Sequence, residues 1–351
     1  MRFEPQHLEA ASKKREGKRM LKGELATAIM LVLASTMPLR AQTNHQAISG
    51  SPPERIYFSA LNKEEKPVLG LTPRDFELRV NGESRPMDDF RPGLPHTDRS
   101  IPLVAWILID FNPNINAAMI KQQASAAADI FKLLHPDSRV GVQVISDRAE
   151  TLAPLAHDPA SLRSALLQFS EHRMVLRAGS GDEETLVGPG GIARATELAI
   201  GEIAKFVEAD PALANREIHR AVMILSDGNL NPSFKTRPLY QDAGRDGVFL
   251  YPVFVPRASI GPWIADYFDL AKKSGGVGSF LGALAPGSNP FAWKGTTTSA
   301  NALNFNFLHM VRDLNGKYSF TLPLTPGREA KVSLKCRTKG VEIRLPRKTL
   351  P

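Results

Sequence analysis

Runs of apolar residues alternate with amphipathic stretches between residues 103 and 314, and this alternation constrains the fold more than any other feature of the chain. The run at 103–109 (LVAWILI) contains no charged side chain. Such runs suit strands that are buried on both faces, as in a parallel sheet. Comparable runs predict four strands in this region, at 103–109, 140–145, 221–225 and 248–255.

Apolar residues at helical spacing occupy the stretches between and after these strands. They predict helices at 116–134, 159–169, 192–207, 263–273 and 299–314. A chain in which strand and helix alternate in this way folds into a doubly wound α/β sheet with helices on both faces. We therefore predict a Rossmann-like domain with a mostly parallel sheet over residues 101–315.

Short β segments flank this domain on both sides. In the first, over 55–92, the strand-like sequences RIYFSAL and FELRV are followed by Asn81-Gly82, a strong hairpin signal because both residues tolerate positive φ. In the second, over 316–351, strands are predicted at 317–322, 330–335 and 341–345. We expect the two flanks to pack together as one small β module.

The first 41 residues are predicted to be a secretory signal peptide. Basic residues up to Lys22 precede an apolar run at 25–34, and the small residue Ala41 offers a cleavage position. Met20, if it is the true start, would give a signal of ordinary length. Half of the formal net charge of +8 lies in this segment, which holds eight basic and four acidic side chains (8 − 4 = +4).

An uncleaved membrane anchor is the alternative interpretation of the same segment, although its apolar run is short against the roughly 20 residues that a transmembrane helix needs. A polar linker follows at 42–54. The expected location of the protein is outside the cytoplasm: periplasmic, extracellular or on the cell surface. Contact with a membrane is expected only if the segment is uncleaved.

Charge and cysteine content limit the partners and the covalent chemistry. The remainder of the chain is only mildly basic and has no basic stripe with interleaved aromatic residues, so binding to nucleic acid is not expected. Cys336 is the only cysteine, which excludes an intramolecular disulfide. Its alternation with apolar neighbours predicts a buried strand position rather than a reactive thiol.

Two of the predicted strands run directly into an aspartate. Asp110 follows the strand at 103–109, and Asp227 follows Ser226 at the end of a later strand. In an open α/β sheet, ligands bind at the carboxyl ends of the strands. Both carboxylates should therefore emerge at one edge of the sheet and converge if the strands are neighbours.

Oxygen-bearing side chains continue along the first of these loops, at Asn112 and Asn114. Carboxylate and amide oxygens are the ligands that hard divalent cations such as Mg²⁺ prefer. Pro113 lies between the two asparagines, and asparagine and aspartate also form turns and caps by preference. The same residues thus fit either a cation site or an ordinary turn.

This pattern resembles that of von Willebrand factor A-type (vWA) domains, in which a hydrophobic strand ends in Asp-x-Ser-x-Ser and a later strand ends in Ser-Asp-Gly. The chain reads Asp110-Phe-Asn112-Pro-Asn114 and, later, Ser226-Asp227-Gly. The resemblance implies a metal-ion-dependent adhesion site built from these residues and from a threonine in an intervening loop. Thr185 lies near the expected place, whereas Thr196 falls inside a predicted helix. Because asparagine replaces both serines, the implied site is degenerate.

The flanks resemble a narrower group, the acidobacterial VWFA-related proteins. Residues 66–90 are similar to the β segment before the vWA domain in that group, 270–281 to the helix, Gly-Gly turn and strand that close it, and 305–347 to its last helix and tail. The resemblance covers about residues 55–347. It implies a secreted bacterial protein with a binding role and no known substrate.

No catalytic residue is predicted, because the sequence contains neither a Gly-x-Ser-x-Gly elbow nor a His-Glu-x-x-His motif, and its glycine-rich loop at 188–191 is not followed by Gly-Lys-Ser/Thr.

The sequence is compatible with three functions. The first is a protein-binding module that uses Mg²⁺ or another divalent cation, with an acidic residue of an unidentified protein partner completing the coordination. The second is a metal-free scaffold that binds through loops around Trp263 and Trp293. The third is a hydrolase using metal-bound water.

Overall fold

A computed structural model describes residues 54–110, 120–121, 124, 127–145, 149–179, 191–214, 216–226, 236–255, 264–280, 302–323, 330–346 and 349–350. The predicted signal segment, its alternative start and the linker lie outside these residues. No helix in the described part of the chain combines the length and the apolar character that crossing a membrane requires.

The strands that build the structure fall into three sheets. They are β1 (Glu54–Leu61), β2 (Phe76–Val80), β3 (Glu83–Arg85), β4 (Asp88–Arg91), β5 (Leu103–Asp110), β6 (Arg139–Ile145), β7 (Ala149–Ala156), β8 (His219–Ser226), β9 (Val248–Phe254), β10 (Ser279–Phe280), β11 (Tyr318–Leu322), β12 (Ala330–Cys336), β13 (Glu342–Arg344) and β14 (Thr349–Leu350).

The helices of the described residues belong mainly to the central part of the chain. They are α1 (Ala127–Phe131), α2 (Pro159–Gly179), α3 (Gly191–Ala209), α4 (Pro211–Ala214), α5 (Thr236–Arg245), α6 (Ile264–Ser274) and α7 (Ala302–Asn315), and a short 3₁₀ helix occupies Pro73–Asp75.

The central sheet has six strands in the order β10-β9-β8-β5-β6-β7. All neighbouring pairs are parallel except β6 and β7. If these six strands are renumbered 1 to 6 along the chain, with β5 as strand 1, their order across the sheet from β7 to β10 is 3-2-1-4-5-6. This is the strand order of a doubly wound fold. The chain therefore changes winding direction between β5 and β8, and this is the topological switch point of the sheet.

Both faces of this sheet are covered by helices. Alternate residues of β5 contribute to different clusters: Ile107 and Ile109 pack in one core, and Trp106 and Leu108 pack in the other. The first core contains side chains of α1, α2 and α7, and the second contains side chains of α3, α5 and α6. The predicted fold class, a doubly wound and mostly parallel α/β sheet with flanking β structure, is confirmed.

Three elements of the central region are missing from the sequence prediction: strand β7, the four-residue helix α4 and helix α5. The edge strand β7 carries Pro154, which edge strands tolerate because their outer N–H groups need no partner, and its apolar residues are too scattered to signal a strand. Helix α5 was missed because among its described side chains only Leu239 and Ala243 are buried. Helix α2 also continues to Gly179, beyond the predicted end at residue 169.

The two flanks of the chain form the remaining two sheets. One has the order β13-β1-β11-β4 and the other β14-β12-β2-β3, so each sheet combines strands from before and after the central domain. Strand β1 pairs with β11 and β13, and β2 pairs with β12, all antiparallel. A separate core of mostly aromatic and aliphatic side chains lies between the sheets, including Phe58, Phe76, Tyr318 and Phe320. Cys336, the last residue of β12, is half-buried and packs against this core. It is therefore more exposed than its alternation with apolar neighbours predicted.

Strand β1 has one face toward this module and the other toward the central domain. Phe58 is buried in the module core, whereas Tyr57 lies edge-on to Phe249 of β9, with 5.9 Å between ring centroids. Ser59 accepts a hydrogen bond from the buried Lys317 at 3.0 Å. The alternating side chains of a strand thus connect the module to the helices and sheet of the domain.

A glycine in β6 makes room for the tryptophan of β5. Trp106 is 4% exposed, as expected for a core residue, and a methyl group on the neighbouring Gly141 would overlap its six-membered ring. We expect Gly141→Ala to destabilise the protein by about 1–3 kcal/mol, the usual cost of overpacking a core. Urea denaturation would measure it, and the cost should shrink when Trp106→Phe is present, since the two sites are in contact.

Gly201→Ala is the matched control. Gly201 lies in helix α3, and nothing stands within 4 Å of the position that its Cβ would take. The substitution should therefore stabilise the protein by roughly 0.5–1 kcal/mol, because alanine restricts the unfolded chain and favours the helix. Equal effects at the two glycines would contradict the packing argument.

Candidate functional site

The carboxyl ends of β5 and β8 bring two polar side chains together in the middle of the sheet. Asp110 is the last residue of β5 and Ser226 is the last residue of β8, and the two strands pair in register up to Ile109 and Leu225. Because these strands border the switch point, their ends face the crevice in which doubly wound folds bind their ligands.

The two side chains are hydrogen-bonded to each other. The Ser226 hydroxyl donates to Oδ2 of Asp110 at 2.8 Å. Asp110 is 3% exposed and Ser226 is fully buried, at the ends of strands whose other side chains are almost all buried. A buried carboxylate requires compensating partners, and the serine supplies one of them.

A tyrosine on helix α6 is hydrogen-bonded to the backbone at the same end of the sheet. The Tyr267 hydroxyl donates to the carbonyl oxygen of Ile224 at 2.5 Å and lies 3.3 Å from that of Val253, so it joins the ends of β8 and β9. Its side chain is fully buried. Sequence reasoning took no account of Tyr267, whose helical spacing marks it only as a core residue.

Asp110 is the one predicted ligand that lies within the described residues. Asn112, Asn114, Thr185 and Asp227 lie outside them, as do Trp263 and Trp293. Ser226 was not among the predicted ligands, although it precedes Asp227 in the Ser-Asp-Gly sequence that pointed to the site. The signal that would have found it is its position as the only polar residue among the last six of β8.

Thr196, the threonine set aside in the sequence analysis, is part of helix α3. It is fully buried, and its hydroxyl donates to the carbonyl oxygen of Ile192 at 2.7 Å, one helical turn earlier. This local bond is the usual state of a threonine inside a helix. The hydroxyl of Thr196 is therefore engaged within helix α3.

The donor atoms at the site suit a hard cation. Asp110 offers a carboxylate and Ser226 a hydroxyl, and Mg²⁺ prefers oxygen ligands of this kind together with retained waters. Nitrogen and sulfur ligands are absent from the pair, which disfavours soft metals. Within the described residues, no group of three or more His, Cys, Asp or Glu side chains could by itself hold a metal ion. A complete coordination shell would need residues of the loops that follow β5 and β8.

Comparison with solved structures finds distant similarity. Proximal thread matrix protein 1 from the mussel byssus is 15% identical with a TM-score of 0.37, over 70% of this chain and 49% of its own. The N-terminal domain of TFIIH p34 is 16% identical with a TM-score of 0.39, over 59% of this chain and 97% of its own. BatB from Bacteroides thetaiotaomicron is 14% identical with a TM-score of 0.35, over 51% of this chain and 90% of its own.

This chain spans about half the length of the byssus protein, one form of which has a zinc-occupied metal-ion-dependent adhesion site. No protein-family model matches the chain, and no curated protein does. Similarity at this level carries no argument about function. The assignment of the fold rests on the strand order and strand directions described above.

Proposed function

We propose that this protein is an exported, non-enzymatic module of vWA type that binds another protein through a divalent cation. The observation that carries the proposal is the buried hydrogen bond between Ser226 and Asp110 at the switch point of the sheet. Asp227, the next residue after Ser226, would bring a second carboxylate to the same edge.

The arrangement orients Asp110 before any ligand arrives. A carboxylate at the end of a buried strand has little rotational freedom, and the serine bonded to Oδ2 restricts it further. If Asp227 brings its carboxylate near that of Asp110, the two would repel each other without a cation, and a divalent ion would relieve this unfavourable charge balance. When bound, Mg²⁺ or another divalent cation would supply a positive charge with coordination positions open to an acidic side chain of the partner.

Among the described residues at this edge, Asp110, Ser226 and Tyr267 are tied to one another or to backbone carbonyls. A hydrolase would need a nucleophile and donors for an oxyanion beside the carboxylates. The Ser226 hydroxyl donates a hydrogen bond to Asp110 from a fully buried position, which suits a ligand-positioning role better than attack on a substrate. These features favour binding over catalysis.

Titration of the full-length chain with Mg²⁺ or Mn²⁺ should raise its melting temperature. A ligand that binds only the folded state stabilises it by about 2.7 kcal/mol at a hundredfold excess over Kd. The Asp110→Asn variant should lose this metal-dependent shift, because it removes a charge from the coordination shell and leaves an oxygen that Ser226 can still bond. Calorimetry would give the stoichiometry, with one cation expected per chain.

Asp158→Asn serves as the control for loss of one carboxylate. Asp158 is exposed and accepts a hydrogen bond from the Ala160 backbone ahead of α2, a role that asparagine also fills. The control should keep the full metal-dependent shift. If the wild-type protein shows no shift at millimolar metal, the cation proposal fails and the metal-free scaffold becomes the working model. Metal-dependent turnover of ester or phosphate substrates, lost in Asp110→Asn, would instead favour the hydrolase.

A further inference from the structure

A cavity lies at the opposite end of the central sheet from Asp110. It has a volume of about 390 Å³ and is bordered by the amino-terminal ends of β8 and β9 and by strands β1 and β4 of the module. Cavities of about 300–1,000 Å³ are the usual size of small-molecule sites. Its walls come from residues before, within and after the central domain. The cavity therefore exists only because the module is docked on the domain.

Basic side chains dominate the charged part of the cavity wall. The arginines are Arg55, Arg91, Arg216 and Arg220, and the acidic residues are Glu217 and Asp246. Four guanidinium groups face two carboxylates on the wall itself, and two further carboxylates outside it, those of Asp89 and Asp137, pair with Arg55 and Arg216. Arginine is the side chain best suited to bind carboxylates and phosphates, because its planar fork can donate two hydrogen bonds at once.

Most of these arginines are already paired with acidic residues. Arg91 forms an ion pair with Glu217, Arg55 forms one with the exposed Asp89, and Arg216 forms one with Asp137 at 2.6 Å.

Arg220 is the exception among the described residues of the cavity wall. Its Nη1 donates to the carbonyl oxygen of Asp246 at 3.1 Å, and it forms no ion pair with any described residue. Arg220 lies in β8, where backbone pairing with both neighbouring strands fixes its position. A charged group that is held in place and lacks a counter-ion is suited to receive one from a ligand.

Tyr57 places a hydroxyl group among these charges. Burial raises the pKa of Tyr57 to about 12, and the negative charge of Glu217 adds to this effect, while Arg55, Arg91 and Arg220 act in the opposite direction. All four charged groups are therefore close enough to influence one phenol. The Tyr57 hydroxyl has no hydrogen-bond partner within the described part of the chain, so it is available as a donor.

The proximity of the arginines to one another is itself unfavourable. The pKa of Arg55 is lowered, mainly by burial and then by the positive charge of Arg91, while Glu217 and Tyr57 act in the opposite direction. Asp89 already offsets part of this repulsion, because its carboxylate pairs with Arg55 and lies 3.7 Å from Nη2 of Arg91, so the charge left for a ligand is mainly that of Arg220. The uncharged part of the wall is mostly apolar and includes Val248 and Phe249.

We propose that this cavity binds a small organic anion, with a phosphate or carboxylate group on Arg220 and Tyr57 and an apolar body against Val248 and Phe249. Such a ligand would contact both the module and the domain. It would therefore stabilise the docked arrangement at a distance from the Asp110 edge, and its binding does not depend on the cation site.

Phenyl phosphate, benzoate and inorganic phosphate are suitable probes for calorimetric titration of the full-length protein at low ionic strength. Phenyl phosphate tests both parts of the site, benzoate tests a carboxylate head, and inorganic phosphate lacks the apolar body. We expect saturable binding of at least one of the two aromatic anions, with one site per chain, and weaker binding of inorganic phosphate.

Substitutions of opposite sign make the test specific. Arg220→Gln should weaken binding about tenfold or more, which corresponds to about 1.4 kcal/mol. Glu217→Gln should tighten binding, since it removes a competing negative charge from the wall and releases Arg91. Arg337→Gln is the charge-matched control, because Arg337 is exposed beyond β12 and does not line the cavity. It should leave the affinity unchanged.

Two outcomes would overturn the anion-binding proposal. Absence of saturable binding of both aromatic anions at millimolar concentration would refute it, as would equal losses in Arg220→Gln and Arg337→Gln. If Arg220→Gln fails to fold, Tyr57→Phe removes only a hydroxyl and should still weaken binding. Asp110→Asn should keep the anion affinity, so failure of the cation proposal and failure of this one are distinguishable.

Discussion

Replacing Asp313 with alanine should destabilise the protein by about 3–5 kcal/mol, the usual cost of removing one partner from a buried ion pair. Asp313 accepts hydrogen bonds at Oδ2 from Lys317 at 2.8 Å and from the Tyr251 hydroxyl at 2.7 Å. Both charged side chains are almost fully buried, so the substitution leaves the Lys317 ammonium without a counter-charge. Thermal melting and urea denaturation would measure the loss.

The remaining partners of Lys317 explain why the effect should be large. Its ammonium also donates to Ser59 in β1 and to the carbonyl oxygen of Gly275 at 2.6 Å, and it lies 4.5 Å from the centre of the Phe249 ring. These contacts join the module, helix α7 and the end of α6. Loss of Asp313 should therefore weaken both the domain and its contact with the module.

The chain contains a matched control for this experiment. Asp269 and Lys273 form an ion pair with the same spacing of four residues, with 2.8 Å between nitrogen and oxygen, but their side chains are 43% and 44% exposed. Asp269→Ala should cost less than about 1 kcal/mol, as exposed ion pairs usually do. The double variant Asp313→Leu/Lys317→Met should be more stable than Asp313→Ala, because it leaves no unpaired charge. Equal losses at Asp313 and Asp269 would show that burial does not matter here.

Acidification should destabilise the protein through His219, the first residue of β8. Burial lowers the pKa of His219 to about 4, and the positive charge of Lys317 acts in the same direction, while Asn315 and Asp313 oppose it. An unfolded histidine has a pKa near 6.5. Between these two values the unfolded chain binds more protons than the folded chain, so folding stability falls as pH falls from about 6.5 to about 4.

The size of this effect follows from the shift in pKa. A difference of about 2.5 units corresponds to about 3 kcal/mol at 1.36 kcal/mol per unit. The His219→Leu variant should lose this part of the pH dependence, measured as the free energy of unfolding at pH 7 minus that at pH 4. His96→Leu, at an exposed position, is the control and should keep it. A pH dependence that is the same in both variants would contradict the assignment to His219.

Local sequence patterns determined much of the fold. The continuous apolar runs predicted β5, β6, β8 and β9 to within two residues of each end, because strands buried on both faces need apolar side chains at every position. Helical spacing likewise placed α3, α6 and α7. Strand β7 and helix α5 escaped prediction because an edge strand and a mostly exposed helix bury few side chains, and so leave a weak pattern.

The candidate site was predicted in part for a similar reason. Asp110 stands out because a carboxylate directly follows seven apolar strand positions, all of them buried. Its hydrogen bond to Ser226 joins residues that are 116 positions apart, and it exists because β5 and β8 are neighbours at the switch point. The order of strands in a sheet is set by packing and winding, which no local pattern encodes.

The contacts that unite the module with the domain were decided by the tertiary structure alone. Ser59 and Lys317 are 258 positions apart, and the cavity around Arg220 and Tyr57 is formed by segments from three regions of the chain. A lysine after a helix and an arginine in a strand look like ordinary surface residues in the sequence. By itself the sequence determined which residues become strands and helices and where their polar ends lie, because those depend on periodic burial. Which distant charges meet depends on how the finished elements pack, and that was settled only in the folded chain.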